Sequence, residues 1–218
     1  MMGKGESMKF KRILLSVAGV LITAVSIGAV KFAAFGVDPF QSFMSGIDAL
    51  VPIDFGTLYV LVNAALLLFA LIFDRHYLGI ATFINLFFLG YVVNFSLAAF
   101  TSLISAPSIG LRTLFFLLGF LFLCLGSSLY ITADLGVSTY DSIALICATK
   151  WKLGKFKHIR ICTDLICILL GIGMYLLSGG APEKITANLG IGTIATAFCM
   201  GPLVDFFNRK VSAPMLHK

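Results

Sequence analysis

Two stretches decide how this chain folds: Gly36-Val37-Asp38-Pro39-Phe40-Gln41-Ser42 and, one hundred positions on, Gly136-Val137-Ser138-Thr139-Tyr140-Asp141-Ser142. Each ends a long apolar run and opens a shorter one. Asp38 or Ser138 stands three residues ahead of Gln41 or Asp141, the spacing of a helix N-cap and its N3 partner, and Pro39 suits the first helical position. The runs so opened, Asp38 to Leu50 and Ser138 to Thr149, reach only about two-thirds of the ~20 residues that cross ~30 Å of hydrocarbon. They are expected as half-helices or interfacial helices.

The match extends outward. At the same offset Arg12, Leu14, Gly19, Leu21 and Ala33 meet Arg112, Leu114, Gly119, Leu121 and Ala133, and one added residue brings Asn63 opposite Asp164. After a further insertion Leu78-Gly79-Ile80, Thr82, Phe87, Gly90, Val93, Asn94 and Phe95 meet Leu189-Gly190-Ile191, Thr193, Phe198, Gly201, Val204, Asp205 and Phe206. Chance agreement among Leu, Phe and Gly does not also place Thr, Arg and the Asn94/Asp205 pair in one continuous order. The chain reads as an internal duplication, repeat 1 at about 12–105 and repeat 2 at about 112–208, within a single membrane domain over 1–218.

Composition sets the solvent. Of the residues 59% are apolar and 12% charged, with mean hydropathy +1.02, which excludes a soluble globular domain and a disordered chain alike. Six stretches are long enough to span a bilayer, roughly 13–35, 57–73, 78–105, 112–134, 159–177 and 187–208. Three spans per repeat is an odd number, so the expected fold is all-α with two inverted three-span repeats, each with a short half-helix after its first span. Lys9, Lys11 and Arg12 imitate a signal peptide, but the following run continues to Phe35 and has an internal partner, so it reads as a retained span.

Lys and Arg orient the chain. With both termini cytoplasmic, Lys4, Lys9, Lys11, Arg12, Arg75, Lys150, Lys152, Lys155, Lys157, Arg160, Arg209, Lys210 and Lys218 fall inside; only Arg112 and Lys184 fall outside, and Lys31 lies within the first span. A rival topology counts the short segments as full spans, giving eight helices and parallel repeats. It satisfies charge equally, exchanging Arg75 for Arg112, but its extra spans are too short.

Both quoted stretches resemble the repeated motifs of the YitT/YczE-type bacterial multi-pass membrane proteins, whose pattern continues with a segment like Leu189 to Thr193 here. The resemblance covers Arg12 to Phe207; the first copy departs from it at Ala81, where the second has Gly192. It implies an integral multi-pass membrane fold and adds no chemistry.

Candidate site residues are Asp38, Gln41, Asn63, Ser138, Asp141 and Asp164. Asp38, Ser138 and their N3 partners can simply cap helices, yet a helix N-terminus in a membrane cavity also offers N–H groups to a solute. Asp164 lies inside a span, where a carboxylate is expensive unless paired or wetted. It reads either as a functional group or as the i, i+4 partner of Arg160. Asn85, Asn94, Asp134 and Asp205 are weaker candidates, and Lys31 is expected to snorkel or to pair with Asp38 or Asp134.

No G-x-S-x-G, H-E-x-x-H or P-loop pattern occurs, so an enzyme is not expected, and no metal or cofactor. Five cysteines without C-x-x-C spacing read as small hydrophobes. Trp151 among lysines reads as an interfacial anchor rather than a nucleic-acid patch, leaving the lipid bilayer as partner. The expectation is an inner-membrane secondary transporter or facilitator for a small molecule or ion. The competing reading is a non-transporting scaffold or regulatory protein.

Overall fold

The computed structural model describes residues 4–53, 55–179 and 190–217. Among them the chain is all-helical: α1 (Lys4–Ala33), α2 (Pro39–Leu50), α3 (Phe55–Phe73), α4 (Ile80–Leu103), α5 (Ile109–Ala133), α6 (Thr139–Thr149), α7 (Phe156–Leu177) and α8 (Ile191–Phe207). A 3-10 turn at Arg75–Tyr77 precedes α4, and a π-helical segment, Asn208–Ser212, leads from α8 into a short α9 (Ala213–His217). Five helical stretches, Met8–Ala33, Ile80–Leu103, Ile109–Ala133, Phe156–Leu177 and Ile191–Leu216, are long and apolar enough to cross a membrane. The expected second span is a helix too, but its apolar part, Thr57–Phe73, is shorter than those five. Lys184, Leu189, Lys218 and the first residues of the last expected span lie outside the described residues.

At the centre α1 and α5 run antiparallel. Arg12 reaches Asp134 beyond the end of α5 at 3.7 Å, while Arg112 donates to the Ala33 and Ala34 carbonyls at the end of α1 at 2.7 and 3.0 Å. Between these clamps small residues let the helices close up, the usual basis of helix packing in lipid. A Cβ on Gly19 would lie 2.8 Å from the Gly126 carbonyl oxygen, and one on Gly119 would lie 3.2 Å from that of Ser26. Val30, Ala33, Phe116, Phe120 and Leu123 of this pair are buried in one cluster with Met200 and Val204 of α8. Hydroxyl contacts then hold the π-helical segment to α5, from Ser128 to Ser212 and from Thr132 to Asn208.

One turn geometry occurs twice. Ala34 and Asp134 are left-handed at φ 53° and 58°, and Gly36 and Gly136 follow at φ 123° and 102°, a region open to glycine. The Phe35 carbonyl receives the N–H of Gly192 at 2.9 Å, and the Leu135 carbonyl receives that of Ala81 at 3.0 Å. A Cβ on Gly190 or Gly79 would come within 1.9 or 2.2 Å of those carbonyl oxygens. The turn after α1 is therefore docked on the start of α8, and the turn after α5 on the start of α4. The Ala81/Gly192 departure also finds its reason: a Cβ at Gly192 would meet the Phe116 ring at 2.7 Å, whereas Ala81 is fully buried with its methyl accommodated.

The short helices start in the middle of the bundle. Phe40 and Tyr140, beside their N-termini, stack at 5.1 Å. From there α6 runs along half of α3, from Asn63, bonded by Thr139 at 2.7 Å, to Phe73, whose carbonyl receives the Lys150 ammonium. α2 crosses α7 glycine on glycine, a Cβ on Gly46 falling 2.4 Å from the Gly171 carbonyl oxygen. Asp134 pairs with Arg12 and with His76, the latter at 2.8 Å, and not with Lys31. Trp151 packs edge-on against Phe69 and Phe73.

Candidate functional site

Ser138 caps α6 as its spacing predicts, its hydroxyl accepting from the Asp141 N–H at 3.0 Å. The same hydroxyl donates to the Asp141 carboxylate at 2.7 Å, so the N3 side chain turns toward the cap hydroxyl. Asp141 also takes the Tyr130 hydroxyl and the Arg160 guanidinium. Arg160 Nε reaches Asp164 at 3.2 Å, the i, i+4 contact open from the sequence, and Tyr140 donates to Asp164 at 2.6 Å. The guanidinium lies 4.5 Å from the Tyr140 ring centroid and touches Met200 Sδ at 3.6 Å. Asp164 is wholly buried and Arg160 only 6% exposed. A charge out of water is tolerated only when paired and hydrogen-bonded, and each member here has several partners.

The matching first-half positions are neutral. Gln41 stands for Asp141, Asn63 for Asp164 and Tyr59 for Arg160. Asn63 is held by Thr139 and by the Tyr59 carbonyl, to which it donates at 2.9 Å. The first-half carboxylate is at the cap, where Asp38 accepts from the Gln41 N–H at 3.1 Å.

Both groups face one cavity of about 110 Å³. Asp38, Gln41, Asn63, Ser138 and Asp141 line it, whereas Asp164 lies behind the wall, against Arg160. Arg160, Tyr130, Tyr140, Thr23 and Asn85 add to the polar lining. The Thr23 hydroxyl is buried, with no hydrogen-bond partner among the described residues. A larger groove of about 450 Å³ between α1 and α5 is lined by apolar side chains such as Leu21, Val25, Leu118 and Phe122 and carries no comparable chemistry.

Sequence reasoning had placed Arg160 only as a topology charge and a partner of Asp164. Tyr130 and Tyr140 were missed, since a tyrosine in an apolar run carries no signal of its own. Of the weaker candidates, Asp134 and Asp205 are paired, the latter with Arg209 at 3.0 Å, and Asn94 is exposed on α4. Among the described residues no cluster of His, Cys, Asp and Glu is placed to hold a metal.

A family model described as a family of unknown function, DUF6198, matches residues 10–209. An uncharacterized protein of Haemophilus influenzae is 24% identical over 200 residues, covering 91% of this chain and 84% of its own length. The uncharacterized membrane protein YczE of Bacillus subtilis is 24% identical over 198 residues, covering 87% of this chain and 81% of its own length. No solved structure matches the chain.

Proposed function

We propose a transport function from one premise: the chain belongs to the family of unknown function DUF6198, alongside a YczE-type membrane protein. In this reading it is a secondary transporter or facilitator for a small solute, not an enzyme, with six spans in two inverted repeats in the inner membrane and both termini cytoplasmic. The observation that carries it is the meeting of the two half-helix N-termini at a polar cavity inside the bundle. Solute sites of inverted-repeat transporters have this build, with discontinuous helices whose N-termini face the midplane. The antiparallel α1 and α5 support inverted rather than parallel repeats.

Reconstituted vesicles challenged with a broad metabolite panel test the function, and saturable flux of one solute is the expected result. No flux of any solute with the fold intact favours the competing scaffold or regulator, for which the Arg160 cluster would serve only to join α6, α7 and α8. Topology is tested by cysteine labelling near positions 75 and 110; labelling of 75 from outside overturns the six-span arrangement. Where flux is coupled to H⁺ or Na⁺, Asp141 and Asp164 are better carriers than their first-half mates, because the amides of Gln41 and Asn63 exchange no protons; Asp38 stands outside that comparison. Asp164→Asn is then expected to insert normally and to lose the pH or Na⁺ dependence of flux; unaltered dependence rejects Asp164 as a carrier.

A further inference from the structure

The second half holds a cation in contact with its cavity carboxylate, Arg160 on Asp141, and the first half, whose nearest cation is Lys31, does not. Asp141 is neutralised by Arg160, whose guanidinium is also held by Asp164, by Met200 and by the Tyr140 ring, so that two carboxylates share its one positive charge. On the first-half side the carboxylate is Asp38, and the position matching Arg160 is Tyr59, a phenol. Lys31 shares a void of about 10 Å³ with Asp38 but makes no ion pair with it; among the described residues Asp38 makes none. The α2 N-terminus offsets part of the Asp38 charge, about half an elementary charge by the helix dipole, and leaves the rest facing the cavity. Elsewhere on the cavity wall the buried Thr23 hydroxyl lacks a partner among the described residues. The rings of Phe40 and Tyr59 also line the cavity, and aromatic walls favour cations.

We propose that the cavity takes a small cation, which occupies against Asp38 the place that the Arg160 guanidinium occupies against Asp141. The proposal rests on reading the cavity as a solute site and names the class of solute. The shared chemistry is a single positive charge with hydrogen-bonding or oxygen-coordinating capacity, whether from an inorganic ion or from an organic ammonium or guanidinium. It disfavours a small anion, because Asp38 and Asp141 face the cavity against the single cation Arg160, which Asp164 also holds.

The test is thermal unfolding of the full chain in detergent, with sodium, methylammonium and guanidinium chlorides, and the acetate and sulfate of N-methyl-D-glucamine, a bulky cation, as anion arms, at constant ionic strength. A saturable rise in Tm is expected with at least one cation, sodium alone indicating an inorganic ion and methylammonium or guanidinium an organic one. Asp38→Asn keeps the helix cap, since Asn caps as well as Asp. It is expected to fold and to raise the half-saturating concentration at least about tenfold, the loss of one charged contact. Tyr59→Arg, which builds in the missing guanidinium, is expected to abolish the response. No shift with any cation, an undiminished shift in Asp38→Asn, or a shift with anions alone overturns the proposal. Flux in vesicles of the same preparation keeps the two readings apart. Cation binding without flux rejects transport and keeps the site, and flux of an anion without a cation response does the reverse.

Discussion

Matched helices in the two halves stand differently. In the second half α7 and α8 are clasped: a Cβ on Gly201 would lie 2.6 Å from the Lys157 carbonyl oxygen, and Arg160 reaches across to Met200. In the first half α3 and α4 do not pack along each other. Gly90, the mate of Gly201, has open space beside it, and Leu89, the mate of Met200, is on the cavity wall with Asn63 of α3. α4 turns Phe83, Phe87, Phe88, Tyr91 and Phe95 outward. The contrast teaches that the buried charges go with the joining: where Arg160, Asp141 and Asp164 lie, α7 and α8 meet, and where Tyr59, Gln41 and Asn63 lie, α3 and α4 stand apart, the cavity facing both groups.

The comparison breaks most readily at Arg160. Arg160→Met leaves two buried carboxylates without a counter-charge and is expected to lower stability by about 3–5 kcal/mol, read as a fall in Tm and loss of monodisperse protein on gel filtration. Adding Asp141→Asn and Asp164→Asn to that variant is expected to restore most of the loss; no recovery would mean that the arginine acts through packing alone.

A smaller effect tests where the halves agree. Gly79→Ala and Gly190→Ala each drive a methyl into a carbonyl of the facing turn, and each is expected to lower stability by about 1–3 kcal/mol, by similar amounts in thermal unfolding. A loss confined to one variant would break the equivalence of the two junctions.

The smallest effect is the most discriminating. Gly201→Ala is expected to destabilise by overpacking against Lys157, whereas Gly90→Ala, in open space on a helix, is expected to stabilise by up to about 1 kcal/mol. Should Gly90→Ala raise Tm yet slow flux in vesicles, α3 and α4 must approach each other at another stage of the cycle, and the present gap is one of two arrangements.

Much of this was legible in the sequence where the backbone itself imposes the residue. Gly36 and Gly136 need positive φ and Asp38 and Ser138 must satisfy helix N–H groups, so both copies kept a readable mark. The partners of those turns were not legible. That Phe35 bonds Gly192 and Leu135 bonds Ala81, rather than each turn serving its own repeat, depends on how the halves interlock, and no spacing encodes it. Asp164 stands out in the sequence as a carboxylate inside an apolar run, but its place behind the wall follows from Arg160, which lies between it and Asp141. Thr23 carried no signal, because hydroxyls in apolar helices usually bond their own backbone.

The crossed junctions also set an order of events during synthesis. The Ala81 N–H has its acceptor at Leu135, 135 − 81 = 54 positions later in the chain, an interval of about 3–10 s at the usual ~5–20 residues per second. Until then a backbone donor at the start of α4, buried in the finished fold, lacks its final partner, at a cost of about 1–3 kcal/mol. The nascent first half is therefore a dependent intermediate that needs shelter at the insertion machinery. Severed after α4 it is expected to stay incomplete, while the two halves coexpressed as separate polypeptides are expected to copurify.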